Sequence, residues 1–138
     1  MTDTIERTLD LDASPADVWR ALTDPTELSG WFGDSAQFEL KVGSDGWFGW
    51  EKHGRFSMRV EEFDPPTRFA WRWSHEPDAP LDDGTSTLVE WTIVPRGDSG
   101  TTLKLRESGF SRDEHRQENS GGWTEELQDL AAYLEAKT

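Results

Sequence analysis

Between Gly121 and Glu135 the chain carries an apolar stripe that dictates a helix and demands a partner to cover it. Trp123, Leu127, Leu130 and Leu134 recur at the spacing of one helical face, while acids and amides fill most of the opposite side. Burying one tryptophan and three leucines contributes about 6–12 kcal/mol at ordinary per-side-chain values. Few other segments offer as much, so the rest of the chain is expected to form a surface that receives this helix.

The same face changes character upstream. Traced back at helical pitch to about Ser111, it carries Arg112, Arg116 and Asn119. Ser111-Arg112-Asp113-Glu114 reads as a capping box and predicts a start there. Gly121 and Gly122 interrupt the helix, cost about 1 kcal/mol each relative to alanine, and leave space free of side chains. A helix sealed at one end and polar and open at the other predicts a core that stops short and becomes a pocket.

The remaining chain reads as strands and turns. Ile5, Leu9 and Leu11 alternate with polar residues as a strand, and Arg7 shares their face. Ser14-Pro15-Ala16-Asp17 opens a helix buried through Val18, Trp19 and Leu22, and Asp24-Pro25 opens a second that runs to about Gly30. Alternation then predicts strands over 36–42, 47–50, 56–60 and 69–73, and two more around Val89-Trp91-Ile93 and Leu103-Leu105. Glycine, proline and aspartate mark the turns, and Glu76 to Gly84 is the longest loop signal. The order predicts an α+β fold: a curved antiparallel sheet of six to seven strands around a long C-terminal helix, with two short helices after the first strand.

Size and composition bound the rest. With 138 residues, the chain is one domain over 1–138. The absence of cysteine excludes disulfides and thiol chemistry. Acidic residues number 28 against 14 basic, a net charge of −14, which opposes nucleic acid and anionic membrane surfaces. A solvated surface explains this excess, and a high-salt habitat is the competing reading. No apolar run reaches membrane-spanning length, and the N-terminus lacks a basic segment followed by an apolar one, so a soluble, cytoplasmic protein is expected.

Several of these stretches resemble a known family. Trp31, the Val42-Gly43-Ser44-Asp45-Gly46 turn, Phe63-Asp64-Pro65-Pro66-Thr67-Arg68 before Trp71-Arg72-Trp73, Gly100-Thr101-Thr102 and Gly122-Trp123 are similar in order and spacing to the START-like (SRPBCC, helix-grip) superfamily. Within it they resemble the group named after the activator of the heat-shock protein 90 ATPase. The resemblance runs from Ile5 to about Leu134. It implies a helix-grip fold and a deep cavity between sheet and closing helix, which in the superfamily holds lipids, sterols, polyketides or other apolar molecules. It does not imply chaperone activation, since the eukaryotic activator carries a further domain. Relatives often have a histidine near the position of Asn119, and that histidine's role does not transfer here.

Candidate site residues fall into two sets. Trp31, Phe48, Trp50, Phe56, Met58, Trp71, Trp73, Trp91 and Trp123 are the aromatic and apolar candidates for a ligand wall, with ordinary core as the competing reading. His75, Glu107, Arg116 and Asn119 are the polar candidates. Parity puts His75 with Trp71 and Trp73, and Glu107 with Leu103 and Leu105. A buried charge needs a partner, and a network joining Glu107 to Arg7 or Arg116 is consistent with the sheet; a salt bridge at the rim or strand end is the first reading of these groups, and a polar group orienting a ligand inside an apolar cavity the alternative. His53 and His115 read as surface residues. The histidines lack short metal-ligand spacing, so neither a metal nor another cofactor is expected.

Three functions compete. The leading one is binding of an apolar or aromatic small molecule beneath the closing helix. The second is a cyclase or dehydratase using His75, Glu107 or Arg116 on a bound carbonyl compound, weakened because no nucleophile–base pair is legible. The third is a stress-related or co-chaperone-like module, raised by the family name alone. A monomer or homodimer is expected.

Overall fold

Side chains that alternate apolar and polar turn one face of each strand inward, and register carries that face from strand to strand. The computed structural model describes residues 4–77, 81 and 86–136. In chain order the elements are β1 (Thr4–Leu11), α1 (Pro15–Thr23), α2 (Pro25–Leu28), β2 (Ser35–Gln37) and β3 (Asp45–Trp50), then β4 (Gly54–Asp64), β5 (Arg68–Ser74), β6 (Ser86–Arg96), β7 (Gly100–Ser108) and α3 (Asp113–Ala136). The strands form one antiparallel sheet in the order β1-β7-β6-β5-β4-β3-β2.

Trp71 stands opposite Val60 on one side and Val89 on the other, while Trp91 faces Leu105 and Ile93 faces Leu103. Glu107 occupies the same row, flanked by Ile5 and Val89. A register shift between Val60 and Glu62 adds local twist. The sheet curves around α3, giving the expected α+β helix-grip fold.

Helix α3 buries Trp123, Leu127, Leu130 and Leu134, the four residues of the sequence stripe. Phe32, just after α2, stacks on Trp123 with ring centroids 5.4 Å apart. Ser14 caps α1 by accepting from the Asp17 amide at 3.1 Å, and Asp24 caps α2 by accepting from Thr26 at 2.9 Å. Trp31 donates its indole N–H to the Ala21 carbonyl at 2.9 Å, and Tyr133 donates to Glu27 at 3.2 Å. These bonds fasten the short helices to each other and to α3.

Three boundaries differ from expectation. The strand expected over 36–42 ends at Gln37: Phe38 is buried, but the chain turns at Glu39–Lys41, leaving Leu40 and Val42 exposed. Helix α2 stops at Leu28, after which amide bonds from Gly30 to Glu27 and from Trp31 to Leu28 tighten the chain. Helix α3 starts at Asp113, two residues after Ser111, and runs unbroken through the glycine pair. The Glu76–Gly84 loop lies largely outside the described residues. No helix among the described residues is long and apolar enough to cross a membrane.

Candidate functional site

The row that places Glu107 among apolar side chains leaves its carboxylate fully buried. Four neutral side chains from three elements donate to it. On Oε2 these are Trp73 Nε1 of β5 at 2.8 Å and Thr87 Oγ1 of β6 at 2.5 Å. From α3, Trp123 Nε1 reaches Oε1 at 2.7 Å, and Asn119 Nδ2 lies 3.2 and 3.1 Å from the two oxygens. Burial pushes the Glu107 pKa up, and the bonds from Thr87, Trp123, Trp73 and Asn119 oppose that shift.

The link from Glu107 to Arg7 or Arg116 that strand parity allows does not form. Arg7 sits opposite Leu105, two residues along from the Ile5–Glu107 pair, and its guanidinium reaches Ser120 Oγ at 2.6 Å instead. Arg116 pairs one turn back along its own helix with Asp113, at 2.9 Å. Glu107 therefore joins sheet to helix through indole, amide and hydroxyl donors.

Next to this junction lies a cavity of about 540 Å³, framed by the segment after α2, strands β3 to β5 and the N-terminal half of α3. Phe32, Trp50, Phe56, Trp73 and Trp123 supply aromatic walls. Gly122 supplies room: a Cβ built there, or at Gly121, meets nothing within 4 Å. Ser74, His75 and Asn119 add polar atoms, and the exposed residues His53, Glu118 and Glu125 line the rim.

Two titratable groups in the wall are strongly shifted. His75 stacks on Phe110 at 5.6 Å and lies 4.7 Å from the His115 ring. Burial, then repulsion from His115, lowers the His75 pKa to about 4, so the ring is neutral near pH 7. Glu126 is raised to about 7 by burial first and by Asp129, against an opposing contribution from Trp50, with Glu125 and Asp34 adding to the rise. Its Oε2 is buried and finds no hydrogen-bond partner among the described residues, and the same holds for His115 Nδ1.

Of the candidates read from sequence, Trp50, Phe56, Trp73, His75, Asn119 and Trp123 line the cavity. Glu107 lies just behind, bonded to three of them. Trp31, Phe48, Met58, Trp71 and Trp91 belong to the packed core at 0–4% exposure, and Arg116 lies away from the cavity wall. Sequence reasoning missed Phe32 and Glu126. Glu126 follows Trp123 by three residues, a spacing that signals a shared helical face; attention to the apolar stripe hid it. His53, read as a surface residue, is exposed yet sits at the cavity edge, while His115 is half-buried against His75. Among the described residues no group of three or more His, Cys, Asp or Glu side chains is arranged to hold a metal ion.

Comparison with known proteins adds family and fold. The family described as Activator of Hsp90 ATPase homolog 1-like protein matches residues 12–135. Protein MLL2253 from Mesorhizobium loti shares 24% identity at a TM-score of 0.84, with 98% of each chain covered. DynU16, a protein in the dynemicin biosynthetic locus, shares 28% identity at a TM-score of 0.82, over 100% of this chain and 49% of its own. The Aha1 dimer from Colwellia psychrerythraea shares 19% identity at a TM-score of 0.80, over 95% of both chains. Among curated proteins none matches.

Proposed function

This chain belongs to the Activator of Hsp90 ATPase homolog 1-like family, and from that premise we propose that it binds an apolar or aromatic small molecule, of lipid, sterol or polyketide class, between the sheet and α3. The carrying observation is the cavity of about 540 Å³ walled by five aromatic side chains and kept clear by Gly122. That volume falls within the range of small-molecule sites, which are largely apolar with a few fixed polar groups. Ser74, His75 and Asn119 are such groups. The likeness to DynU16, from a biosynthetic locus, puts natural-product intermediates first among ligands to try.

Binding is favoured over turnover by the state of Glu107. Its two oxygens already accept from four side chains, so it serves as a fixed anchor for Trp73, Asn119 and Trp123. A general base needs a free lone pair within reach of substrate.

The test is titration with sterols, fatty acids, flavonoids and polyketides, read by tryptophan fluorescence and calorimetry. A ligand should change the emission of Trp50, Trp73 and Trp123 and release or absorb heat. Gly122→Trp, which fills the open space, should abolish both signals while the far-ultraviolet spectrum stays native. Silence across the whole panel in the wild type, or unchanged binding by a folded Gly122→Trp variant, rejects the reading.

A further inference from the structure

The walls of this cavity are aromatic and acidic, and the basic side chains lining it are the histidines His53 and His75. Glu118, Glu125 and Glu126 line it, and no lysine or arginine does so among the described residues. Trp50 is the hub of the aromatic part: its ring centroid lies 5.0 Å from Phe32 and 5.4 Å from Phe56, both met edge to face, and 6.1 Å from the tilted ring of Trp73. A cluster of aromatic rings lining one space offers the negative quadrupole of its ring faces to a ligand, the feature that attracts organic cations.

Beside that cage Glu126 has a buried oxygen, Oε2, with no hydrogen-bond partner among the described residues. A buried unpaired acceptor costs roughly 1–3 kcal/mol, and its natural remedy is a donor or a positive charge. The Trp50 indole is the donor that reaches this carboxyl, and no positive charge pairs with it among the described residues. Its nearest electrostatic neighbours, Asp129, Glu125 and Asp34, are all acids. Arg55, next to Phe56, lies over the Trp47 ring at 4.0 Å, and Arg72, between Trp71 and Trp73, pairs with Glu61. His75 remains neutral near pH 7.

We infer that the ligand of this cavity is an organic cation, an aromatic or apolar skeleton bearing a protonated or quaternary amine, with the charged nitrogen held between the Trp50 cage and the Glu126 carboxylate. The inference rests on the binding function proposed above and narrows its ligand class. It also separates this site from one built for fatty acids, whose carboxylate would lie among like charges.

Three probes sharing one ring system test it by calorimetry at about pH 8 and low salt: naphthylmethyltrimethylammonium, naphthalenemethanol and naphthoate. The cation should bind about tenfold or more tightly than the alcohol, and naphthoate weakest. Glu126→Gln should collapse the preference of cation over alcohol toward unity. Asp98→Asn, which removes one acid from the distant β6–β7 turn, should leave that preference in place and so exclude a mere effect of net charge. Equal binding of cation and alcohol overturns the charge assignment while small-molecule binding stands. So does a preference that survives Glu126→Gln or falls equally in Asp98→Asn. Failure of all three probes, together with the broader panel, removes the binding function and this inference with it.

Discussion

At Glu107 the chain keeps a charge-capable group where the register would ordinarily put a leucine. The four donors facing it fix the consequence of changing it. In Glu107→Gln the new amide turns N–H bonds toward indole N–H groups that can only donate. Because each oxygen accepts from one indole, either orientation of the amide leaves at least one donor without its acceptor, and the expected cost is about 1–3 kcal/mol in urea unfolding. An unchanged midpoint would mean that the carboxyl is held protonated, with Thr87 as its acceptor. Glu126 and His75 govern the pH response, and their signs oppose. The Glu126 pKa rises from 4.5 to about 7 on folding, so its contribution declines as pH climbs through that window. The His75 pKa falls from 6.5 to about 4, so its contribution is lost as pH drops through that one. Above about pH 6.5 the His75 contribution to the pH dependence is gone, and Glu126→Gln should raise stability at pH 8 by about 1 kcal/mol, a figure reduced for the group's partial exposure. A stability curve between pH 6.5 and 8 that is the same in both proteins would refute it. The sequence made Glu107, Asn119 and Trp123 visible through strand parity and helical spacing. It could not reveal that the donors around Glu107 are neutral, because that depends on how far Arg7 reaches.

Helix α3 carries a local weakness where the cavity needs space. Glycine lowers helix stability by about 1 kcal/mol per residue relative to alanine, and neither Gly121 nor Gly122 has a neighbour that a methyl group would strike. Gly121→Ala and Gly122→Ala should each stabilise the protein by about 0.5–1 kcal/mol, measured by thermal or urea unfolding. Only the second should also weaken ligand binding, since Gly122 lines the cavity and Gly121 does not. If both variants lose stability, the helix is distorted at the pair rather than regular. The elements themselves were legible wherever an apolar period ran for several residues, as in β1, β5, β6 and the second half of α3. The boundaries were less so. Leu40 and Val42 continue the alternation of Ala36 and Phe38, yet a turn at Glu39–Lys41 takes them off the sheet and into solvent. A capping box at Ser111 predicted the right helix two residues early.

For the molecule as a whole the governing quantity is the net charge of −14. Two electrostatic effects compete when salt is added. The outer face of the sheet holds arginine–carboxylate pairs, among them Arg68 with Glu62 and Glu90 at 3.1 Å each, and Arg106 with Glu90 at 3.5 Å. Salt weakens these, but exposed pairs are worth only about 0–1 kcal/mol apiece. The excess of acids repels itself across the entire surface, and salt relieves that repulsion at every separation beyond the Debye length, which shrinks from about 10 Å at 0.1 M to about 3 Å at 1 M. The second effect acts on many more pairs and opposes the compact state. The melting temperature should therefore rise as sodium chloride is raised from about 0.05 to 0.5 M, an expectation that needs no specific ion site. An equal rise in sucrose of matched osmolality would assign the gain to solvent exclusion rather than screening. A fall in melting temperature with salt would mean that the arginine network on the outer face, and not the acidic excess, decides how this fold responds to its medium.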